Sequence, residues 1–156
     1  MESRIKLLGH PIHPMLIVFP LGLLSAAVVF DIVYLVTENA DFSIVSFWAI
    51  AAGLIGGLLA ALFGLWDWLA IPRETRARRV GLLHGGGNVV VVGLFFVSWL
   101  LRLGDPSYLP SILPFVLAVL GAGLAMVTAW LGGELVYRLR VAGDDDAGLD
   151  ATSSIG

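Results

Sequence analysis

The sequence predicts an all-α membrane protein, a four-helix transmembrane bundle with short loops. Three observations lead there. Of the 156 residues, 58% are hydrophobic and only 13% are charged, about half the charged share of a soluble domain. A water-soluble core of this size cannot hide so much apolar surface. The apolar residues also form long continuous runs, not the alternating segments of ~10 residues that mark a membrane barrel.

The runs cover about 14–36, 44–71, 82–101 and 112–137. Each is near or above the ~20 residues that cross a ~30 Å hydrocarbon core. Pro14 is expected as the first helical residue, with Pro20 and Gly22 as a kink. The first run is too long for a signal peptide and ends in no small-x-small cleavage site, so it reads as a retained span. Pro72 stops the second run, because it lacks an N–H and clashes with the preceding turn. The connections 37–43, 72–81 and 102–111 are short, so neighbouring helices run antiparallel. Residues 1–141 read as one domain. Residues 142–156 read as a polar, acidic, disordered tail.

Of the nine Lys and Arg residues, all but Arg102 fall in the N-terminus, the second connection or the end of the fourth run. The positive-inside rule then places both termini in the cytoplasm of a bacterial plasma membrane. Arg102 falls in the loop on the other side. Trp48 and Trp99 fit one interface belt, and Trp66, Trp68 and Trp130 the other.

Gly53, Gly56, Ala60, Gly64 and Asp67 follow helical steps of three and four. They share a face that permits close helix packing and points Asp67 into the bundle. Ala118, Gly121, Ala122 and Ala125 form a similar set on the fourth helix. No sequence repeat is apparent.

Three acids lie within the spans: Asp31, Asp67 and Glu134. Each is a functional candidate, because an unpaired intramembrane charge is costly. Asp67 lies ~30 Å along its helix at 1.5 Å per residue, which brings it to the side that carries the termini. Glu134, His84, His10 and His13 reach the same level, and Asn88 shares a helix face with His84. The run from Gly9 to Met15 (Gly-His-Pro-Ile-His-Pro-Met) reads as a rigid extended turn that fixes both imidazoles. Asp31 lies in the opposite third, where Tyr34, Trp48 or another group of that side is the expected partner. Glu134 could pair with Arg138, and Asp67 with Arg78 or Arg79.

The stretch from Gly9 to Met15, followed by Val18-Phe19-Pro20-Leu21-Gly22, resembles the opening signature of a bacterial family of small four-span membrane proteins. The family is labelled domain of unknown function 2231. The likeness extends to Gly64-Leu65-Trp66-Asp67-Trp68, to His84 with Asn88, and to the stretch from Leu131 to Tyr137. It implies four helices and maps the family's recurrent polar positions onto His10, His13, Asp67, His84, Asn88 and Glu134. It also points toward redox membranes, since relatives are joined to Rieske-type or cytochrome c-type domains. This chain has no cysteine, so it carries no iron–sulfur cluster or Cys-x-x-Cys-His attachment of its own. An electron partner would be a separate redox protein or a membrane complex.

The leading expectation is a metal or haem b site at the cytoplasmic rim. His13 and His84 would be ligands, His10 a third ligand or supporting partner, Asp67 and Glu134 ligands or orienting carboxylates, and Asn88 a second-layer contact. The alternative is a latch of hydrogen bonds and ion pairs in an accessory subunit, with no ligand. A third reading, proton or ion transport past Asp31, finds few polar stepping stones in the bundle. No hydrolase, phosphate-loop or nucleotide motif appears, so the chain is not expected to be an enzyme by itself. The basic second connection suits anionic lipid, not nucleic acid. An oligomer is open.

Overall fold

A computed structural model describes Ser3 and residues 5–143. Arg4 and the acidic tail from residue 144 lie outside the described residues. Four helical spans, Ile12–Thr37, Ala40–Ala70, Arg76–Leu100 and Ile112–Arg138, are long and apolar enough to cross a membrane. The expected fold class therefore stands.

A short hairpin precedes the bundle. Strand β1 (Lys6–Leu7) pairs antiparallel with β2 (His10–Pro11). The turn between them places Leu8 and Gly9 at φ 50° and 80°, the two positive values that a tight hairpin turn requires. The expected extended lead-in is thus half of a hairpin. The first span begins at Ile12, ahead of Pro14, and has two pieces: α1 (Ile12–Leu16) and α2 (Val18–Thr37). They meet at Ile17, because Pro20 has no N–H to offer the Leu16 carbonyl.

Helix α3 covers Ala40–Ala70 and α4 covers Arg76–Leu100. Both start earlier than their apolar runs, and capping explains it. The Asn39 side chain accepts from the Asp41 amide at 3.0 Å. Thr75 Oγ1 accepts from the Arg78 amide at 3.2 Å. Each cap opens a helix on polar residues that hydropathy alone reads as loop. Helix α5 (Ile112–Gly133) continues into a π-helical turn, Glu134–Arg138.

The helices pair as two antiparallel hairpins, α2 with α3 and α4 with α5. The hairpins meet chiefly through α3 and α4 and less through α2 and α5. Leu24, Ala27, Ile50, Leu54, Val91, Phe95 and Ala118 form the core between them. Small residues permit the approach. A Cβ on Gly53 would lie 2.7 Å from Leu24, and one on Gly121 would lie 2.8 Å from Phe95.

At the end remote from the termini, Arg102 is not a loop charge. It is fully buried, as is Asp31. Its two terminal nitrogens each donate to one Asp31 carboxylate oxygen at 2.7 Å. They also reach Ser46 and Ser98, both at 3.2 Å. Ser46 donates to the Ala27 carbonyl at 3.0 Å and Ser98 to the Pro114 carbonyl at 2.7 Å. All four spans are thereby tied at one point. The partner of Asp31 is thus another group of that side, Arg102, and neither Tyr34 nor Trp48. The guanidinium folds back into the bundle because an intramembrane carboxylate needs a cation more than the loop does.

At the termini end, Arg78 lies 3.7 Å over the Trp68 ring. It donates to the Trp68 and Ile71 carbonyls, and Trp68 Nε1 returns a bond to the Arg78 carbonyl at 3.1 Å. Arg78 thus caps the last carbonyls of α3.

Candidate functional site

The expected rim cluster resolves into separate places. His13, on α1, and His84, on α4, come together with ring centres 6.4 Å apart and planes at 89°. His13 Nδ1 lies 2.8 Å from the Ala60 carbonyl. His84 Nδ1 lies 2.8 Å from the Thr128 carbonyl. A carbonyl only accepts, so each Nδ1 carries the proton in these bonds and a neutral ring keeps its lone pair on Nε2. That is the form in which imidazole binds a metal, with the second nitrogen held by the protein.

Two glycines seat the rings. A Cβ on Gly64 would lie 2.8 Å from the His13 ring, and one on Gly132 would lie 3.1 Å from the His84 ring. A Cβ at position 64 would force the His13 ring to shift, and one at 132 would crowd the His84 ring. Asn88 sits one turn beyond His84. Its Nδ2 donates to the His84 carbonyl at 3.0 Å and reaches His84 Nε2 at 3.3 Å. Its Oδ1 accepts from Thr128 Oγ1 at 3.0 Å. Asn88 thus links His84 to Thr128.

The other candidates lie elsewhere. His10 is exposed on β2, with Nδ1 3.0 Å from the Leu8 carbonyl. Asp67 is 8% exposed and accepts from Ser3 Oγ at 2.8 and 3.0 Å. Ser3 stands where Arg78 or Arg79 was expected. Glu134 accepts from Arg76 at 2.7 Å, in place of Arg138. Among the described residues, no three His, Asp or Glu side chains gather closely enough to hold an ion. The described residues therefore do not assemble the shell of three or more protein ligands expected from the sequence. Thr128, Gly64 and Gly132 are the partners that sequence reading missed as a set. Gly64 was legible in the small-residue stripe and Gly132 in the stretch from Leu131 to Tyr137, neither as a seat for a ring, and a backbone carbonyl leaves no signal.

Fold and site together define a four-span polytopic membrane protein with a bis-imidazole pair at the termini end. Residues 9–145 match the model of a family described as predicted membrane proteins, DUF2231. The chain belongs to that family. No curated protein and no solved structure gives a significant match.

Proposed function

We propose that this membrane protein holds one metal centre, a transition-metal ion or the iron of haem b, through His13 and His84. The observation that carries the reading is the pair itself. Two imidazoles from different hairpins face one another, each anchored through Nδ1 and each seated on a glycine. Haem iron supplies one-electron redox chemistry when bound. The chain's own residues bind and orient: Ala60 and Thr128 fix the tautomers, and Gly64 and Gly132 fix the ring positions.

Asp67 and Glu134 are latch residues in this reading. Asp67 ties the N-terminal segment to α3, and Glu134 ties α5 to the start of α4. His10 braces the hairpin that delivers His13. The eight basic residues of the termini side favour the cytoplasmic face of a bacterial plasma membrane. The electron partner is a separate redox protein or membrane complex.

The test is the metal and haem content of detergent-purified protein from cells supplied with both. His13→Ala and His84→Ala should each lose the metal while keeping the monodisperse, helical protein. A wild-type protein free of haem and metal would overturn the reading.

One observation favours a second reading. Asn88 Nδ2 already reaches the lone pair of His84, as it would in a latch with no ligand. Asn88→Leu separates the two. It weakens metal retention if the pair is a ligand site, and lowers thermal stability with no metal to lose if the pair is a latch.

A further inference from the structure

The two hairpins are copies of one another in their contacts, although their sequences show no repeat. His13 and His84 play the same part in each. Moving from His13 to Leu24, Ala27 and Asp31 takes the same steps as moving from His84 to Phe95, Ser98 and Arg102. Moving from Ser46 to Gly53, Ala60 and Gly64 takes the same steps as moving from Pro114 to Gly121, Thr128 and Gly132.

Every matched position makes the matched contact. Gly53 abuts Leu24 as Gly121 abuts Phe95, and Gly64 abuts His13 as Gly132 abuts His84. His13 bonds to Ala60 as His84 bonds to Thr128. Ser46 and Ala27 are hydrogen-bonded as Pro114 and Ser98 are, with donor and acceptor exchanged. No gap or insertion is needed within either helix. Both copies run the same way, so their relating axis is parallel to the membrane normal.

Equivalent residues that touch each other lie on that axis. Asp31 and Arg102 are equivalent and form the buried pair, separated by 71 positions. His13 and His84 are equivalent and face each other at the opposite end. The axis therefore runs through the ion pair at one end and between the imidazoles at the other.

We propose that the metal centre of the previous subsection lies on this pseudo-two-fold axis, gripped from opposite sides by His13 and His84, and that this arrangement selects iron in a planar macrocycle over a bare ion. The inference rests on the reading of the pair as a metal site. Its argument is the donor set. A tetrahedral ion such as zinc takes about four protein ligands, or three with a water. The axis supplies two, and among the described residues no third His, Asp or Glu gathers with them. A macrocycle brings its own equatorial nitrogens and asks the protein for two axial ones. With metal–nitrogen bonds of about 2 Å, imidazoles on opposite sides of one metal have ring centres ~6 Å apart, and those here are 6.4 Å apart.

The experiment titrates the purified full chain in detergent with haemin and, in parallel, with Zn(II) and Cu(II). One haem per chain should bind with the absorption and electron-spin signature of six-coordinate, low-spin iron. His13→Gly and His84→Gly should each give five-coordinate, high-spin iron, and added imidazole should restore six-coordination equally in both. That rescue also shows that the variants are folded. Stoichiometric zinc or copper without haem overturns this inference and leaves the metal reading standing. Wild-type haem that is five-coordinate, or responds to only one of the two variants, overturns the axial pair alone. Binding of none of the three overturns both.

Discussion

At the scale of single residues, the largest energies sit in the buried pair. Removing one partner of a buried ion pair typically costs about 3–5 kcal/mol, because the other charge stays buried and uncompensated. Arg102→Ala should therefore sharply lower the thermal unfolding temperature in detergent. Replacing the pair together, as Asp31→Leu with Arg102→Met, should recover most of the loss. Equal damage from the single and double variants would mean that the charges do more than neutralise each other. The glycines make a second residue-level prediction. Gly64→Leu should displace the His13 ring and abolish metal or haem retention. Gly85→Ala, where a Cβ meets nothing, should leave retention unchanged. The histidines, the buried acids and Asn88 were legible as residue types, because each is expensive or unusual inside a membrane. Their partners were not. For Asp31 the sequence offered Tyr34, Trp48 or another group of the same side, and it is Arg102 that reaches it. Only packing decides between such candidates.

At the scale of elements, four spans were legible from length and continuous apolarity, and their ends were not. Thr75 and Asn39 extend α4 and α3 into polar sequence through side-chain caps. Thr75→Ala should cost about 1 kcal/mol of stability, read as a lower unfolding midpoint with unchanged helical content. The break at Ile17 has a single cause in the missing N–H of Pro20. Pro20→Ala should merge α1 and α2, and hydrogen exchange should then find a protected amide at position 20. The β1–β2 hairpin escaped the sequence reading because Leu8, not Gly or Asn, takes a left-handed turn position.

At the scale of the whole molecule, membership of the four-span family and the bundle were legible, and the internal symmetry was not. The matched positions carry Leu against Phe, Ala against Ser, Asp against Arg and Ser against Pro. Among these contact positions, only the histidines and two glycine pairs are the same residue in both copies. Symmetry survives here in contacts, where a hydroxyl may answer a carbonyl from either side. Orientation is tested with engineered cysteines on a chain that has none of its own. Glu74→Cys should be shielded from an impermeant thiol reagent in intact cells, and Glu38→Cys should react. The reverse pattern would place the termini outside.

The central claim is that His13 and His84 are neutral imidazoles held by Nδ1–H, with Nε2 left to a metal. Nitrogen-15 magnetic resonance of histidine-labelled protein in detergent or bilayers, assigned with single histidine variants, reads it directly. The account predicts a protonated Nδ1 at both residues, with Nε2 unprotonated or shifted by a bound metal. A proton on Nε2 of either ring would contradict it, because that nitrogen would then have no lone pair to give.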